Sequence, residues 1–326
     1  MGHGSGGALT TELLREVILP IFHDVQPTDG AVLEAPAGWR LAFTTDTFVV
    51  RPVFFPGGDI GSLAVNGTVN DLAMMGARPA YLSCGLVLEE GFPLDDLEAI
   101  CRSMRAAAAA LSLKIVTGDT KVVGRGEADG IFINTAGIGF VPSWIDLCPA
   151  EVRPGDAVIV SGGIGEHGTA VLAGRLGVSF DPVLVSDTAP LWPAVAALLD
   201  GGVMPVIMRD ITRGGLASVS NELAAGLGVD YLLREASIPV DPRVKRACEI
   251  WGYDPLHVAS EGRFMLVVHA EDADRAVAIL RSTAEGRGAA VIGEIARGGG
   301  KVFLHTAVGG RRLVKPLPGE LLPRIC

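Results

Sequence analysis

The chain has 326 residues, of which 49% are hydrophobic and 20% charged, values typical of a globular protein large enough for two domains. Its formal net charge of −10 argues against a nucleic-acid-binding protein, because such proteins need basic surfaces. No apolar run is long enough to cross a bilayer, and the start of the chain lacks the basic and apolar segments of a signal peptide. We therefore expect a cytoplasmic protein.

The cysteine pattern agrees with a reducing compartment. The cysteines lie far apart, so their spacing matches no zinc site, and their odd number matches no disulfide framework. Cys84 and Cys101 fall in a predicted strand and a predicted helix, where buried core positions are expected. The full set is Cys84, Cys101, Cys148, Cys248 and Cys326.

The chain opens with a glycine-rich segment, His3-Gly4-Ser5-Gly6-Gly7, directly before a predicted amphipathic helix. A glycine loop that leads into a helix N-terminus can bind phosphate through its backbone N–H groups. The segment is not a Walker A loop, because the Gly-Lys-Ser/Thr ending is missing. The alternative is a frayed chain end, in which His3 has no role.

Acids stand out in two elements of the first half. Residues 40–50 have the β-branched and aromatic composition of a strand around one acid, Asp46. A buried carboxylate there needs a partner or a metal, whereas a solvent-facing Asp46 would need neither. The next helix carries Asn70 and Asp71 among small and apolar residues, where a capping or buried hydrogen-bonding role is the alternative to ligand binding.

A possible ligand site follows a predicted short strand at residues 114–117. The segment Gly118-Asp119-Thr120-Lys121 comes directly after this strand, which is where α/β folds place ligands. Strands are also predicted at residues 81–88 and 131–141, with an alanine-rich helix at residues 94–111 between them. An ordinary salt bridge is the alternative role for Lys121.

The pattern restarts near residue 150, where we place a domain boundary. A strand at residues 157–161 leads into a second glycine loop, Gly162–Gly168, and a strand at residues 206–208 leads into Asp210 and Arg213. Asp210 and Arg213 at the start of a helix opened by Gly214-Gly215 favour phosphate recognition. A loop at residues 257–264 carries Glu261, and a helix at residues 272–284 with two short strands completes an α/β pattern.

The chain ends on Cys326 after a run that contains three prolines, which disfavour helix and central strand. About ten extended residues span roughly 30–35 Å, enough to carry the terminal sulfur deep into a cleft. The alternative is a frayed end whose last residue happens to be cysteine. The apolar residues among the prolines are unusual for a solvated end.

Together these motifs resemble the ATP-binding superfamily of aminoimidazole ribonucleotide synthetase and selenophosphate synthetase, and within it the HypE family of hydrogenase maturation factors. The resemblance covers essentially the whole chain, and the combination of motifs is specific although each motif alone is not. The motifs are HGSGG at residues 3–7, TTD at 44–46, FFPGGDIG at 54–61, NDLAMMGA at 70–77, YLSCG at 81–85, GDTKVV at 118–123, DITRGGL at 210–216, SEG at 260–262 and PRIC at 323–326.

The resemblance implies an α/β (α+β) fold of the two-domain PurM-like type. In that fold residues 1–150 would bind ATP and metal and dimerise, their sheet closing a barrel across a homodimer. Residues 151–315 would form a mixed sheet with helices, and residues 316–326 a mobile tail that ends in the modified cysteine.

The resemblance also implies a reaction. A HypF-type carbamoyltransferase places a carboxamide on Cys326, and this protein uses ATP and Mg²⁺ to dehydrate it to an S-cyano group. A HypC–HypD complex then receives the cyanide as a ligand of the [NiFe] cluster. The rival hypotheses are another ATP-dependent kinase or synthetase acting on a small substrate, with the tail as a lid, and a non-catalytic scaffold.

Site residues follow from the same resemblance. Glu261 is the candidate general base, and Lys121 is a candidate for proton handling or electrostatic stabilisation. His167, His257 and His269 show no ligand spacing and are interpreted as structural. The metal ligands would be Asp46, Asp71, Asp119 and Asp210, and nucleotide contacts would also come from Gly4, Ser5, Gly6, Gly7, Asn70, Thr120, Arg213 and Gly214.

Overall fold

The computed structural model describes residues 12–22, 33–316, 322 and 324–326. The glycine-rich segment at residues 3–7 lies outside these residues. The first described segment contains a short π-helical stretch, Leu14–Ile18, and it packs Leu13, Ile18 and Ile21 against the core.

A four-stranded sheet forms the first half of the protein. Its strand order is β1-β6-β4-β5, in which β4 and β5 run parallel and the other neighbours are antiparallel. β1 is therefore an edge strand. The strands are β1 (Arg40–Phe48), β4 (Arg78–Glu89), β5 (Lys114–Val123) and β6 (Ile131–Val141), and a small hairpin pairs β2 (Phe54–Phe55) with β3 (Gly58–Asp59).

Two helices cover the inner face of this sheet, α1 (Ile60–Met74) and α2 (Leu94–Ala110). α1 begins with a capping box, in which Asp59 accepts hydrogen bonds from the N–H groups of Gly61 and Ser62. α1 is apolar on nearly all sides and is almost completely buried, because it packs between the first sheet and the second half of the chain. It therefore places residues from both halves around one helix.

The outer face of the four-stranded sheet is apolar but uncovered in the single chain. The β1 residues Leu41 and Phe43 are 63% and 66% exposed on this face. Register pairs Phe43 with Ile138 and Ile138 with Tyr81, so these side chains share the face. An apolar sheet face of this kind marks a candidate interaction surface.

A seven-stranded sheet forms the second half, in the order β13-β12-β9-β11-β7-β10-β8. Its strands β7 and β10 are apolar throughout and completely buried. The strands are β7 (Ala157–Val160), β8 (Ile207–Asp210), β9 (Val229–Arg234), β10 (Phe264–Val268), β11 (Ala290–Arg297), β12 (Val302–His305) and β13 (Arg311–Val314). The helices are α3 (Glu166–Leu176), α4 (Trp192–Asp200), α5 (Gly215–Leu227), α6 (Pro242–Trp251) and α7 (Ala273–Arg281).

The predicted α/β class with mixed sheets and helices is confirmed, with two corrections to the elements. β5 continues through residues 118–121, so Asp119 lies inside a strand and not after one. Only glycine fits at position 118, because a Cβ there would lie 2.4 Å from the carbonyl oxygen of Cys84. The register between β4 and β5 shifts just before this pair of residues. Three strands, not two, follow α7.

The boundary predicted at residue 150 falls in the connection between the two sheets, which are built from residues 40–141 and 157–314. The division into separate domains stays a prediction. Within the described ranges, no helix has the length and apolar character needed to cross a bilayer.

Candidate active site

The last three residues of the chain are docked against residues 49–51. The N–H of Val49 donates to a terminal carboxylate oxygen of Cys326, and the N–H of Arg51 donates to the carbonyl oxygen of Arg324, both at 3.2 Å, in an antiparallel arrangement. Ile325 is only 2% exposed. The end of the chain is therefore packed into the protein, which excludes the interpretation of residues 324–326 as a frayed end.

His167 holds the middle residue of this terminal segment. Its Nε2 lies 2.7 Å from the carbonyl oxygen of Ile325, and its Nδ1 lies 2.7 Å from Oγ of Ser186. A carbonyl oxygen only accepts, so Nε2 carries the hydrogen and Nδ1 accepts from the Ser186 hydroxyl. Burial lowers the pKa of His167, which favours this neutral form. These contacts agree with the interpretation of His167 as a structural residue, and they identify the tail as what it holds.

Replacing His167 with leucine is expected to loosen the tail, because the carbonyl oxygen of Ile325 loses its donor in a buried site. In a Cys148→Ser background, alkylation of Cys326 should become several-fold faster, measured by mass spectrometry of the C-terminal peptide. The other three cysteines are buried, which makes them slow to react. An alkylation rate equal to that of the parent chain would contradict this role of His167.

Glu261 lies beside the terminal thiol. Its backbone is fixed on both sides, since Nδ2 of Asn70 donates to its carbonyl oxygen at 3.1 Å and its N–H donates to Oδ1 of Asp187 at 3.0 Å. The next residue is Gly262, and only glycine fits there because a Cβ would lie 1.8 Å from the carbonyl oxygen of Asp187. The Asn70 amide is thus engaged by protein groups, and it positions the loop that carries Glu261.

Glu261 is 3% exposed, and its Oε1 has no hydrogen-bond partner in the structure. Burial raises its pKa well above the usual range, and the neighbouring carboxylates of Asp210, Asp187 and Asp46 raise it further. A hydrogen bond from the Cys326 thiol opposes these effects. A buried acceptor without a partner, next to the tail sulfur, can receive a proton from a group carried on that sulfur.

Three carboxylates from both halves of the chain meet near Glu261. Asp46 comes from the inner face of β1, Asp71 from α1 and Asp210 from the end of β8. Oγ1 of Thr44 donates to Oδ2 of Asp71 at 2.8 Å. Burial raises the pKa of Asp210 to about 7, and the charges of Asp71 and Asp46 add to this effect. Such mutual repulsion is relieved when a cation binds.

These carboxylates fit an Mg²⁺ ion that also binds the phosphates of a nucleotide. Within the described ranges, no three His, Cys, Asp or Glu side chains are close enough to hold a metal ion by themselves. Mg²⁺ usually takes one or two carboxylates and completes its coordination with substrate phosphates and water. Asp46, Asp71 and Asp210 supply oxygen ligands of this type.

An anion-binding feature lies next to these acids. Gly214 and Gly215 adopt φ values of +76° and +61° at the start of α5, a conformation that favours glycine. Backbone N–H groups at this helix start can face a phosphate. Arg213 is exposed; burial raises the pKa of Asp46, and the positive charge of Arg213 opposes this effect.

Two of the predicted site residues lie away from the cluster of Asp46, Asp71 and Asp210 within one chain. Asp119 and Lys121 lie on the outer face of β5 and pair with each other at 3.5 Å. Three strand spacings separate β5 from β1, roughly 14 Å, so Asp119 does not reach Asp46 within one protomer. Thr120 is buried on the opposite face. Gly4, Ser5, Gly6 and Gly7 lie outside the described residues. All of these assignments stay predictions.

Two further residues hold the tail, and no sequence motif marks them. Nη2 of Arg175 donates to the carbonyl oxygens of Arg51 and Arg324, both at 2.8 Å. Asp129 pairs with the guanidinium groups of Arg51, at 3.1 Å, and Arg324. Contacts to backbone carbonyls leave no recognisable motif, although Glu166-His167 at a helix start after a glycine loop could have drawn attention to His167.

Family models match both halves of the chain. The model described as AIR synthase related protein, N-terminal domain, matches residues 27–141, and the corresponding C-terminal domain model matches residues 153–305. Together with the two sheets and the acids between them, these matches define an AIR synthase-related protein.

Individual relatives identify the family of this chain within the AIR synthase-related proteins. The chain is 48% identical to carbamoyl dehydratase HypE of Cupriavidus necator, covering 100% of this chain and 94% of the relative, and 43% identical to that of Escherichia coli, covering 100% and 98%. A crystal structure of HypE in complex with ATP superposes with a TM-score of 0.93 at 42% identity, covering 100% of this chain and 99% of the other. The protein belongs to the HypE family, enzymes of hydrogenase maturation.

A second solved structure contains another protein as well. It is described as a HypE–HypF complex, and its matching chain superposes with a TM-score of 0.81 at 41% identity, covering 95% of this chain and 100% of the other.

Proposed function

We propose that this protein uses ATP to dehydrate a carboxamide carried on the sulfur of its own Cys326 to an S-cyano group. The product would supply the cyanide ligand during [NiFe] hydrogenase maturation. The observation that carries this proposal is the docking of residues 324–326 through Val49, Arg51 and His167, which brings Cys326 to the buried carboxyl of Glu261. The names of the relatives and the HypE–ATP structure support it.

The chemistry needs an activated oxygen and a base. The amide oxygen attacks the γ-phosphorus of ATP and ADP leaves, which converts a poor leaving group into phosphate. The C–O bond then breaks, the nitrogen loses two protons and the nitrile forms. The amide oxygen departs in inorganic phosphate. Mg²⁺, when bound, would neutralise triphosphate charge, and Asp46, Asp71 and Asp210 are the residues that would hold it.

Buried acceptors without partners match the donors of the carboxamide. A primary carboxamide carries two N–H donors, and Oε1 of Glu261 and Oδ1 of Asn66 are both buried without a hydrogen-bond partner. Asn66 lies one turn before Asn70 on α1, and its Nδ2 donates to Oγ1 of Thr188 at 3.3 Å. In this proposal Glu261 accepts one of the two protons, the departing phosphate takes the other, and Asn66 orients the amide.

Intact mass of the C-terminal peptide tests the proposed reaction. After incubation with a HypF-type carbamoyltransferase and carbamoyl phosphate, the peptide should gain one carboxamide, and addition of ATP and Mg²⁺ should then remove one water. Cys326→Ala should show neither change. A Cys326→Ala chain that keeps ATP turnover with a small substrate would favour the rival kinase or synthetase function.

The proposed partners follow from the reaction. A HypF-type enzyme is needed to load the sulfur, in line with the HypE–HypF complex formed by a related protein. A HypC–HypD complex is the proposed acceptor of the cyanide. The chemistry requires a thiol at residue 326, which a reducing cytoplasm maintains.

We also propose a homodimer that closes the four-stranded sheets into a barrel. The apolar outer face with Leu41 and Phe43 supports this, since a single chain leaves it exposed. Asp119 and Lys121 lie on the same face. In a dimer they would reach the nucleotide from the partner subunit, which accounts for their distance from Asp46 in one chain.

Phe43→Glu is expected to convert the dimer to monomer, because it places a charge in the centre of the apolar face. Light scattering coupled to size-exclusion chromatography gives the mass. Val308→Glu is the matched control, since Val308 is 95% exposed in the β12–β13 turn. A Phe43→Glu chain that stays dimeric would contradict the assignment of this face.

A further inference from the structure

Helices cover the seven-stranded sheet unevenly. On one face α5 packs against β9 and β12, together with the buried side chains of Tyr231, Leu233 and Leu304. On the other face α4 and α7 pack against β7 and β10, towards the other end of the sheet. The side of β9, β12 and β13 that points away from α5 lies beyond these helices, and we call it the open face. It comprises Leu232, Arg234, Phe303, His305, Arg311 and Leu313, which alternate with the residues that face α5.

An apolar row crosses the middle of the open face. The strand register aligns Phe303 with Leu232 on one side and with Leu313 on the other, so the three side chains are direct neighbours. Leu313 is 42% exposed, and the other two are half-buried. The row therefore presents apolar surface to solvent at a place where the sheet has no further layer.

Basic side chains flank this row on both sides. The register places His305 directly between Arg234 and Arg311, and Lys301 and Lys315 adjoin the other side of the row at the ends of β12 and β13. All five are exposed. Like charges in directly opposite positions destabilise a sheet, so this arrangement costs stability unless an anionic group lies over it.

The arginines of the open face have no acidic partner within the part of the chain that the structure describes. Neither Arg234 nor Arg311 forms an ion pair there. The neighbouring carboxylates of Asp230 and Glu235 accept hydrogen bonds from backbone N–H groups instead. The guanidinium of Arg311 lies over the ring of Phe303, 3.7 Å from its centroid, which holds the cation in place without neutralising it.

Protection of a sheet edge does not account for this composition. β13 is an edge strand, and charged residues on such a strand commonly prevent pairing with another chain. Arg234, however, lies on β9, two strands in from that edge, and Leu313 is an exposed apolar residue on the edge itself. An apolar centre with arginine and an aromatic ring, inside a charged rim, is instead the usual anatomy of a protein–protein interface.

We propose that the open face binds an acidic surface of a partner protein, with Leu232, Phe303 and Leu313 at the centre of the contact and the basic side chains at its rim. The chain as a whole carries a net charge of −10, so a concentration of cationic groups on one face selects an acidic partner that the rest of the surface repels. The choice of partner proteins for the test rests on the proposed function.

The test measures binding of the full-length chain to a purified HypF-type carbamoyltransferase and to a purified HypC–HypD complex, at low and at high salt. Arg234→Glu combined with Arg311→Glu should weaken the binding of at least one of them about tenfold or more and flatten its salt dependence. Arg105→Glu combined with Arg246→Glu is the matched control, because both residues are exposed on helices and the charge change is the same. Equal effects of the two double variants, or a parental chain that binds neither protein, would overturn the proposal.

A second variant tests the apolar centre. Leu313→Asp should weaken binding to the same partner at both salt concentrations, because it places a charge in the contact. Leu94→Asp is its control, since Leu94 is 55% exposed at the start of α2. No loss with Leu313→Asp would overturn the assignment of the centre.

Two further measurements identify other occupants. If the Arg234→Glu and Arg311→Glu changes lower the mass of the chain alone by light scattering, the open face binds a second copy. If they abolish binding to phosphatidylserine vesicles and leave binding to both proteins unchanged, it binds a membrane surface. Either result would overturn the proposal.

Dehydration separates this inference from the proposed function. A chain already loaded with the carboxamide needs ATP and Mg²⁺ but no partner, so the double variant of the open face should dehydrate it at the parental rate. Loss of partner binding with normal dehydration supports the inference. A parental chain that binds its partner and fails to dehydrate would contradict the proposed function and leave the binding result intact.

Discussion

Glu261→Gln is expected to lower the rate of carboxamide dehydration by roughly 10²–10⁴-fold, the range typical of a lost general base. The substituted amide keeps the shape of the side chain and can still accept the hydrogen bond of the Cys326 thiol through its oxygen. It cannot take a proton from the carboxamide nitrogen. The tail should therefore stay docked and the protein should stay folded, while the chemical step fails.

A single-turnover experiment separates these effects. Carbamoylated protein is mixed with excess ATP and Mg²⁺, and the mass of the C-terminal peptide is followed with time. Glu98→Gln serves as the control, because Glu98 is an exposed helix residue paired with Arg102. Dehydration of the Glu261→Gln chain at the parental rate would refute the assignment of the base, whatever its effect on stability.

Asp210→Asn is expected to lower ATP turnover at least about 100-fold, since charge stabilisation by a bound cation amounts to several kcal/mol. The same change should raise thermal stability in a chelating buffer. Burial and the neighbouring Asp71 and Asp46 raise the pKa of Asp210 from 3.8 to about 7. In the metal-free protein the charged form of Asp210 is thus unfavourable in the folded state.

The pH dependence of stability follows from this upward shift of the pKa of Asp210. Between pH 3.8 and about 7 the folded state binds a proton that the unfolded state releases, so the stability contribution of Asp210 falls as pH rises and is lowest above about pH 7. The gain in Tm from Asp210→Asn should therefore be a few degrees at pH 8 and should shrink towards pH 4. Asp146→Asn is the control. Equal gains at both pH values, or unchanged ATP turnover, would contradict this account.

Sequence reasoning singled out the acids of the candidate site because several of them stand near the ends of predictable elements. The strand predicted at residues 206–208 is β8, which extends to Asp210, and the helix predicted after the glycine pair is α5. The strand at residues 131–141 was predicted with the bounds that the structure has. Alternating or continuous apolar runs carry this information locally.

Other parts of the site depend on contacts that have no local pattern. His167 and Arg175 bind backbone carbonyl oxygens of the tail, and any residue has such a group. Asp119 looked like the end of a strand because glycine precedes it, yet Gly118 sits inside β5 where only a residue without Cβ fits. Its location on the outer face depends on strand register across the sheet, which a single sequence does not specify.

The contact between the N–H of Val49 and the carboxylate of Cys326 has a practical consequence. An affinity tag appended after Cys326 would convert this carboxylate into a neutral peptide carbonyl, which is a weaker acceptor for the Val49 N–H. Protein produced for the experiments above should therefore carry no tag after Cys326.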